Sequence, residues 1–376
     1  MINIAFLGDV MPGGVLNKTD RPFITDDLLG YLQSHDLRVA TLECAIGDTF
    51  TFDPEKMRRK QDIVYAENDD LKRVLELGIN IVSLANNHVY DLGHDGLVNT
   101  IQQLDTLGVL HCGAGCDIEE ASKPAVVEIN GKRLAFLGFC DYRDETVGYV
   151  PFATKNSSGV NPLYPTEYVL SEVRKYKQIY DYVYVLPHWG FEHTWFPQYN
   201  TINLTKKILA AGADGVFGSH PHRVQPICHF HNHYACFSMG NFFFPDRYIN
   251  TPRPTYYPPA GTDTSRYPVT DVYPYVQEPT LKIWKPLGRI GLIISLSLTS
   301  KSQMSVDYVL TSLSSNNILS GLNVVDSAKL RKMLHNLRVI ITYALPLYVL
   351  AITLRRSLGI LKRKFISYAK KNIGYY

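Results

Sequence analysis

Short, nearly uninterrupted apolar runs recur along the first 240 residues, and helix-period segments separate them. This alternation constrains the fold more than any other feature. The runs are INIAFLG, RVATLE, NIVSLA, RLAFLGFC, YVYVLP, GVFG and ACFSMG. Runs without a polar face suit strands covered on both sides. The spacing predicts helices over 22–34, 69–77, 95–107, 166–180 and 201–211. Gly78, Gly108 and Gly212 follow three of these segments where a left-handed residue is wanted. Strand alternating with helix predicts a layered α/β fold.

What stands at the ends of these runs is equally informative. The first ends in Asp9 and the second in Glu43. Asn86, Asn87 and His88 end the third. YVYVLP runs into His188, with Glu192 and His193 just beyond. GVFG leads to His220 and His222, and ACFSMG to Asn241. Open α/β sheets bind ligands beyond the carboxyl ends of their strands. Two carboxylates, an amide oxygen and several imidazoles suit Mn²⁺, Fe or Zn²⁺ better than a thiolate-selected metal. Facing carboxylates would also repel without a cation between them.

Within GSHPHRVQP, Pro221 biases His220 toward extended backbone. Residues two apart in an extended segment share a side, so His220 and His222 are expected to face one site. A carboxylate after the apolar ATL needs a buried partner, which makes Glu43 a ligand candidate. Asp9 taken alone reads as a turn or cap residue before a ligand. Trp189, Glu192 and His193 form a candidate polar rim. Trp189 either packs or offers a face to a sugar or polymer. Arg223 either holds a phosphate or carboxylate or faces solvent. Asn241 either fixes the loop after it or contacts substrate.

The chain has 376 residues, 45% of them hydrophobic, and a formal charge of +3. That length allows one large domain with additions or two domains. The near-balanced charge and the lack of a recognition motif point away from nucleic acid. MINIAFLGD reads directly into a strand, and six scattered cysteines suit reduced thiols. The expected location is therefore cytoplasmic. Residues 245–286 carry nine prolines and six tyrosines, which predicts an insertion without regular helix or central strand. It is either a surface excursion or a lid over the site. GRIGLIISLSL and SVDYVLTSL read as an edge hairpin closing a domain of residues 1–312.

A helix is expected from about 326, leading into a tail that runs to 376. Residues 339–354 are uncharged, and the basic RRSLGILKRKFISYAKK follows. A spanning helix needs ~20 apolar residues, so the segment reads as a buried helix or a monotopic one at the inner face of a membrane.

GDVMPGG, ATLECAI, SLANNHVYDLG, GAGCDIEEASKP, PHWGFEH, GSHPHRVQP and SMGNFFF occur in one order over residues 1 to 245. In these motifs the chain resembles the bacterial capsule-synthesis CapA family, which includes the poly-γ-glutamate synthesis proteins. The resemblance implies a metallophosphoesterase-like two-sheet β-sandwich flanked by helices, with a dinuclear metal site. It implies Asp9, Glu43 and His222 at one divalent ion, and Glu43, Asn87, His188 and His220 at a second. His88 would serve the leaving group, with Asp91 orienting it. Two departures stand out. Met11 occupies the third position of an Asp-x-His motif, and Ser219 stands where relatives commonly carry the first histidine of GHHPH. The implied function is hydrolysis of a phosphoester or amide bond in a surface polymer or its precursor. The alternative is a non-catalytic accessory subunit of a membrane-bound polymer synthesis or export complex, with a structural metal site and peripheral membrane contact through the tail.

Overall fold

The computed structural model of the chain describes residues 1–346 and Tyr348, apart from 49–50, 60, 142–148, 252, 273–275 and 301–302. Strand Ile2–Val10 is the axis of the first sheet. It pairs in parallel with Leu37–Leu42, and Ile81–Ser83 and Leu110–Cys112 extend the sheet outward, also in parallel. On its other side Ile290–Ser300 runs antiparallel to it. A second sheet has Lys132–Cys140, Tyr182–His188, Gly215–Phe217 and His233–Cys236 in parallel, with antiparallel strands Ala125–Ile129 and Ile227–Phe230 at its edges.

Side-chain alternation decides how the sheets stack. Ile4 and Phe6 point to one face of the first strand, and Ala5 and Leu7 to the other. Phe6 meets the second sheet, stacking on Phe217 with ring centroids 3.8 Å apart and meeting Tyr184 edge-on at 5.3 Å. This aromatic layer is the centre of the sandwich. The outer face of the first sheet is covered by helices Asp26–Gln33 and Gly93–Thr106, through Leu28, Leu32, Leu97, Ile101 and Leu104. Helices Thr166–Lys177 and Tyr199–Ala210 cover the second, with Val169, Val173, Ile202 and Ile208 inward. In the first three of these helices, spacings of three and four place the named residues on one helical face. The chain therefore adopts the expected two-sheet α/β sandwich flanked by helices. Gly78, Gly108 and Gly212 end their helices with φ of 66°, 68° and 116°.

Two local expectations are corrected. The hairpin of Ile290–Ser300 and Gln303–Leu313 is not an edge element, because Leu319–Gly321 pairs outside it and the N-terminal strand inside. The Pro/Tyr-rich segment does hold central strands, Arg247–Ile249 and Thr280–Lys282. Arg247–Ile249, Thr255–Tyr256, Val269–Thr270 and Thr280–Lys282 form a small sheet of their own between the prolines. The C-terminal helix spans Val324–Tyr343 and stops three residues before Pro346. It does not stand apart, since Leu330, Leu334, Leu337 and Ile341 are buried against the sandwich. Tyr348 is buried too, and its hydroxyl donates to the Pro197 carbonyl at 2.8 Å. Among the described residues no helix is long and apolar enough to cross a membrane. The basic stretch 355–371 lies outside the described residues.

Candidate metal centre

All parallel strands of both sheets deliver their carboxyl ends to one edge of the sandwich. The first strand is irregular between Phe6 and Asp9, which turns the Asp9 side chain into the gap between the sheets. Asn241–Phe243 then joins this strand at its end, pairing Asp9 with Asn241. Glycine at position 8 permits that approach, because a Cβ there would lie 1.9 Å from the Gly240 carbonyl oxygen. Glu43 follows Leu42, and its amide donates to the Val10 carbonyl at 2.8 Å. His188 is the last residue of its strand.

The candidates meet. Ligand atoms of Glu43, His188 and His220 lie within 4.8 Å of one another, and those of Asp9, Glu43 and His222 form a second such group. Glu43 belongs to both. Nε2 of His188 lies 2.8 Å from Asn87 Oδ1, 3.1 Å from His220 Nδ1 and 3.4 Å from Glu43 Oε1. His222 reaches Asp9 Oδ2 at 3.6 Å and Glu43 Oε1 at 3.7 Å. The His220/His222 geometry differs from the extended segment expected. Both residues adopt positive φ, 93° and 49°, in a tight turn around Pro221. The turn, not strand alternation, brings both rings to the site.

The electrostatics of this pocket are unfavourable for the polypeptide alone. Asp9 and Glu43 are fully buried, and Asp9 Oδ1 and both Glu43 oxygens have no hydrogen-bond partner. Burial pushes the Asp9 carboxyl up to about 8. Burial, then the Asp9 charge, pushes Glu43 well above its ordinary value. Burial also holds His188 and His222 far below the usual imidazole value, so both present neutral lone pairs. Partnerless carboxylate oxygens packed against neutral imidazoles are what a divalent cation would satisfy. Spacings near 3 Å also suit ligands sharing one ion at ~2.1 Å. The residues present fit a metal centre of oxygen and nitrogen donors.

Hydrogen bonds outside the ligand atoms set the rings. Asn241 Oδ1 is 2.7 Å from His222 Nδ1, and Asn241 Nδ2 donates to the Gly288 carbonyl at 2.7 Å. Asn241 therefore orients His222. Ser219 Oγ lies 2.9 Å from His188 Nδ1 and accepts from Thr41 Oγ1 at 3.1 Å. Such partners fix which ring nitrogen is left for a metal. His88 Nδ1 is 2.7 Å from Asp91 Oδ2, and that oxygen also accepts from the Val64 amide at 2.6 Å. Lys56, buried, pairs with Asp91 Oδ1 and donates to the Asn87 carbonyl. Nothing in PEKMRRK distinguishes Lys56 from its solvated neighbours.

Trp189 is also corrected. It is buried in the outer layer behind the second sheet, with its indole N–H donating to the Phe237 carbonyl at 2.8 Å. No face remains for a ligand. Glu192 stays 40% exposed, within electrostatic reach of Glu43. Arg223 is buried, not solvent-facing, and its Nη1 donates to the His222 carbonyl at 2.6 Å. The Met11 sulfur accepts from the Gly13 amide at 3.3 Å, and Met11 packs in the core outside the first sheet.

The fold and the cluster define a two-sheet α/β protein with a buried, carboxylate-bridged group of metal-type ligands at its strand ends. Residues 3–246 match the family described as bacterial capsule synthesis protein PGA_cap, and the chain belongs to that family. It is 27% identical over 259 residues to the PGA biosynthesis protein CapA of Bacillus subtilis, covering 67% of this chain and 65% of that protein. It is 28% identical over 261 residues to the capsule biosynthesis protein CapA of Bacillus anthracis, covering 66% and 61%. A probable polyglutamine synthesis accessory protein of Mycobacterium tuberculosis is 28% identical over 196 residues, half of each chain. The matches thus span less than two thirds of these relatives' lengths. Among solved structures, a Thermus thermophilus protein, TT1561, aligns with a TM-score of 0.34 and 10% identity, over 64% of this chain and 89% of that one.

Proposed function

We propose that the chain is a divalent-metal-dependent hydrolase of capsule or surface-polymer biosynthesis, acting on a phosphoester or amide bond. The observation that carries this reading is the pair of fully buried carboxylates with partnerless oxygens, each within 4 Å of neutral imidazoles. Asp9, Glu43 and His222 would hold one ion, and Glu43, Asn87, His188 and His220 a second. Ions so placed would supply an acidified water and neutralise charge building on the substrate.

The remaining roles fall to the polypeptide. Asp91, pinned by Lys56 and the Val64 amide, fixes the proton of His88 on Nδ1. His88 Nε2, left with a lone pair, would take up a proton from solvent to form the imidazolium and pass it to the leaving group, which returns the ring to its neutral Nδ1–H form. Neutral His188 and His222 rings keep their lone pairs available near neutral pH. Family membership supports a polymer or its precursor as substrate.

A second reading makes the chain a non-catalytic accessory subunit of a membrane synthase complex, with a structural metal at this centre and docked through its basic tail. Met11 favours it, because a thioether engaged with Gly13 replaces a nitrogen ligand. One experiment separates the two. The purified chain is analysed for bound metal, then assayed with Mn²⁺ on a phosphodiester and a γ-glutamyl substrate, beside His88→Asn. Hydrolysis that falls about 10²- to 10⁴-fold in the variant, with metal content unchanged, supports the enzyme. Bound metal without turnover supports the accessory role. Absence of metal removes both schemes.

A further inference from the structure

A cleft of about 130 Å³ opens beside the His222 turn, walled on its far side by the small sheet of the Pro/Tyr-rich segment. Liquid water occupies ~30 Å³ per molecule, so the cleft has room for one carboxylate or phosphate. Three of its lining residues are cationic, Arg223, Lys282 and Lys285, against one carboxylate, Asp271. His193 and Trp284 complete the wall that faces the metal centre. The Trp284 ring lies 4.9 Å from the His222 ring, and Lys282 Nζ is 5.5 Å from the indole centre. One indole therefore joins the cleft to the Asp9–Glu43–His222 group.

The cations here are built in, not draped over the surface. Arg223 and Lys282 are both buried, 6% and 3% exposed. The Arg223 guanidinium is anchored through Nη1 on the His222 carbonyl, and Lys282 donates to the Ile283 carbonyl at 3.0 Å. Glycine at 288 makes room for this arrangement, since a Cβ there would lie 3.0 Å from Arg223 Nη1 and 2.8 Å from the Trp284 ring. Burial, then the Arg247 charge, lowers the Lys282 ammonium to about 8.

We propose that this cleft is an anion subsite that takes a carboxylate or phosphate on the unit adjoining the reacting bond. The inference rests on the reading of the metal centre as the reacting site. Guanidinium and ammonium groups held in place by the fold bind oxyanions well because little reorganisation is needed. The Pro/Tyr-rich segment thereby supplies a specificity wall through Lys282, Trp284 and Lys285.

The test is calorimetric binding to the full-length chain in EDTA, so that no metal can capture the anion. The probes are a γ-linked glutamate trimer, its fully amidated counterpart and glycerol 3-phosphate. The expected result is at least about tenfold tighter binding of one anionic probe than of the amidated trimer, lost in Arg223→Gln and weakened in Lys285→Gln. Preference for the trimer identifies a carboxylate, and preference for glycerol phosphate identifies a phosphate. Lys285 is exposed, so its variant leaves the core intact even where Arg223→Gln misfolds. Equal binding by wild type and Lys285→Gln, or no binding of either anion, overturns the subsite. Charge-selective binding in a chain without turnover keeps the subsite and removes the hydrolase. Turnover indifferent to these variants does the reverse.

Discussion

The two sheets make unlike contributions to one centre. The first supplies oxygen: Asp9, Glu43 and, from the loop after Ser83, Asn87. The second supplies nitrogen: His188, His220 and His222. The nitrogen half is inexpensive to bury, since imidazole is neutral at physiological pH. The oxygen half is not, because two carboxylates sit within one desolvated pocket. Neither sheet holds a complete ligand set. The aromatic contact of Phe6 with Phe217 and Tyr184, which binds the sheets together, is thus also what assembles the centre.

This asymmetry is best broken at Glu43, which belongs to both ligand groups. Glu43→Gln is expected to abolish stoichiometric metal binding and any turnover, the largest single effect. The same change should raise the melting temperature of the protein in EDTA, since it deletes a buried acid. Elemental analysis and melts with and without Mn²⁺ check both signs. Retained metal would show that the sheets do not share a bridging carboxylate.

Ser219→Ala probes the nitrogen half. It removes the hydroxyl facing His188 Nδ1 and leaves every ligand in place. A drop of about 10- to 100-fold in metal affinity is expected, with the fold unchanged. The NMR tautomer signature of His188 should shift toward the other nitrogen. An unaltered signature would mean that Ser219 does not set the ring.

The smallest effect separates the halves by pH. In the metal-free protein, Asp9 keeps its proton up to about 8, while the unfolded chain releases it near 4. Raised folded values of this kind lower stability as pH rises. The buried imidazoles act oppositely, but only below about 6.5, where the unfolded chain takes up their proton. Between about pH 6.5 and 8 the carboxyl effect remains, and melting in EDTA should fall by several degrees. With Mn²⁺ the slope should reverse, because ligands bind metal deprotonated. A flat profile in EDTA would show that the oxygen half carries no strain.

The linear order of residues settled the layered fold and the set of polar side chains that meet at its edge. Apolar runs of strand length, broken by helix-period segments, can bury themselves only as covered sheets. A polar residue closing nearly every run then falls on one edge, because the strands are parallel. Asp9, Glu43, Asn87, His188, His220 and His222 were legible for that reason. The helix ends at Gly78, Gly108 and Gly212 were legible because the left-handed backbone there favours glycine locally. Partners distant in the chain were not legible. Trp189 looked like a rim residue because only packing shows its ring behind the second sheet. Lys56 looked like one charge in a solvated run, and its burial against Asp91 depends on a loop crossing the Asn87 turn. The His220/His222 pair faced the site as expected but through positive-φ backbone, since turn conformation answers to the surrounding sheet ends. Periodicity is a property of neighbours, so sequence alone specified the elements. Charge burial, ring tautomers and the walls of the cleft depend on atoms brought together from far along the chain, and only tertiary packing decided them.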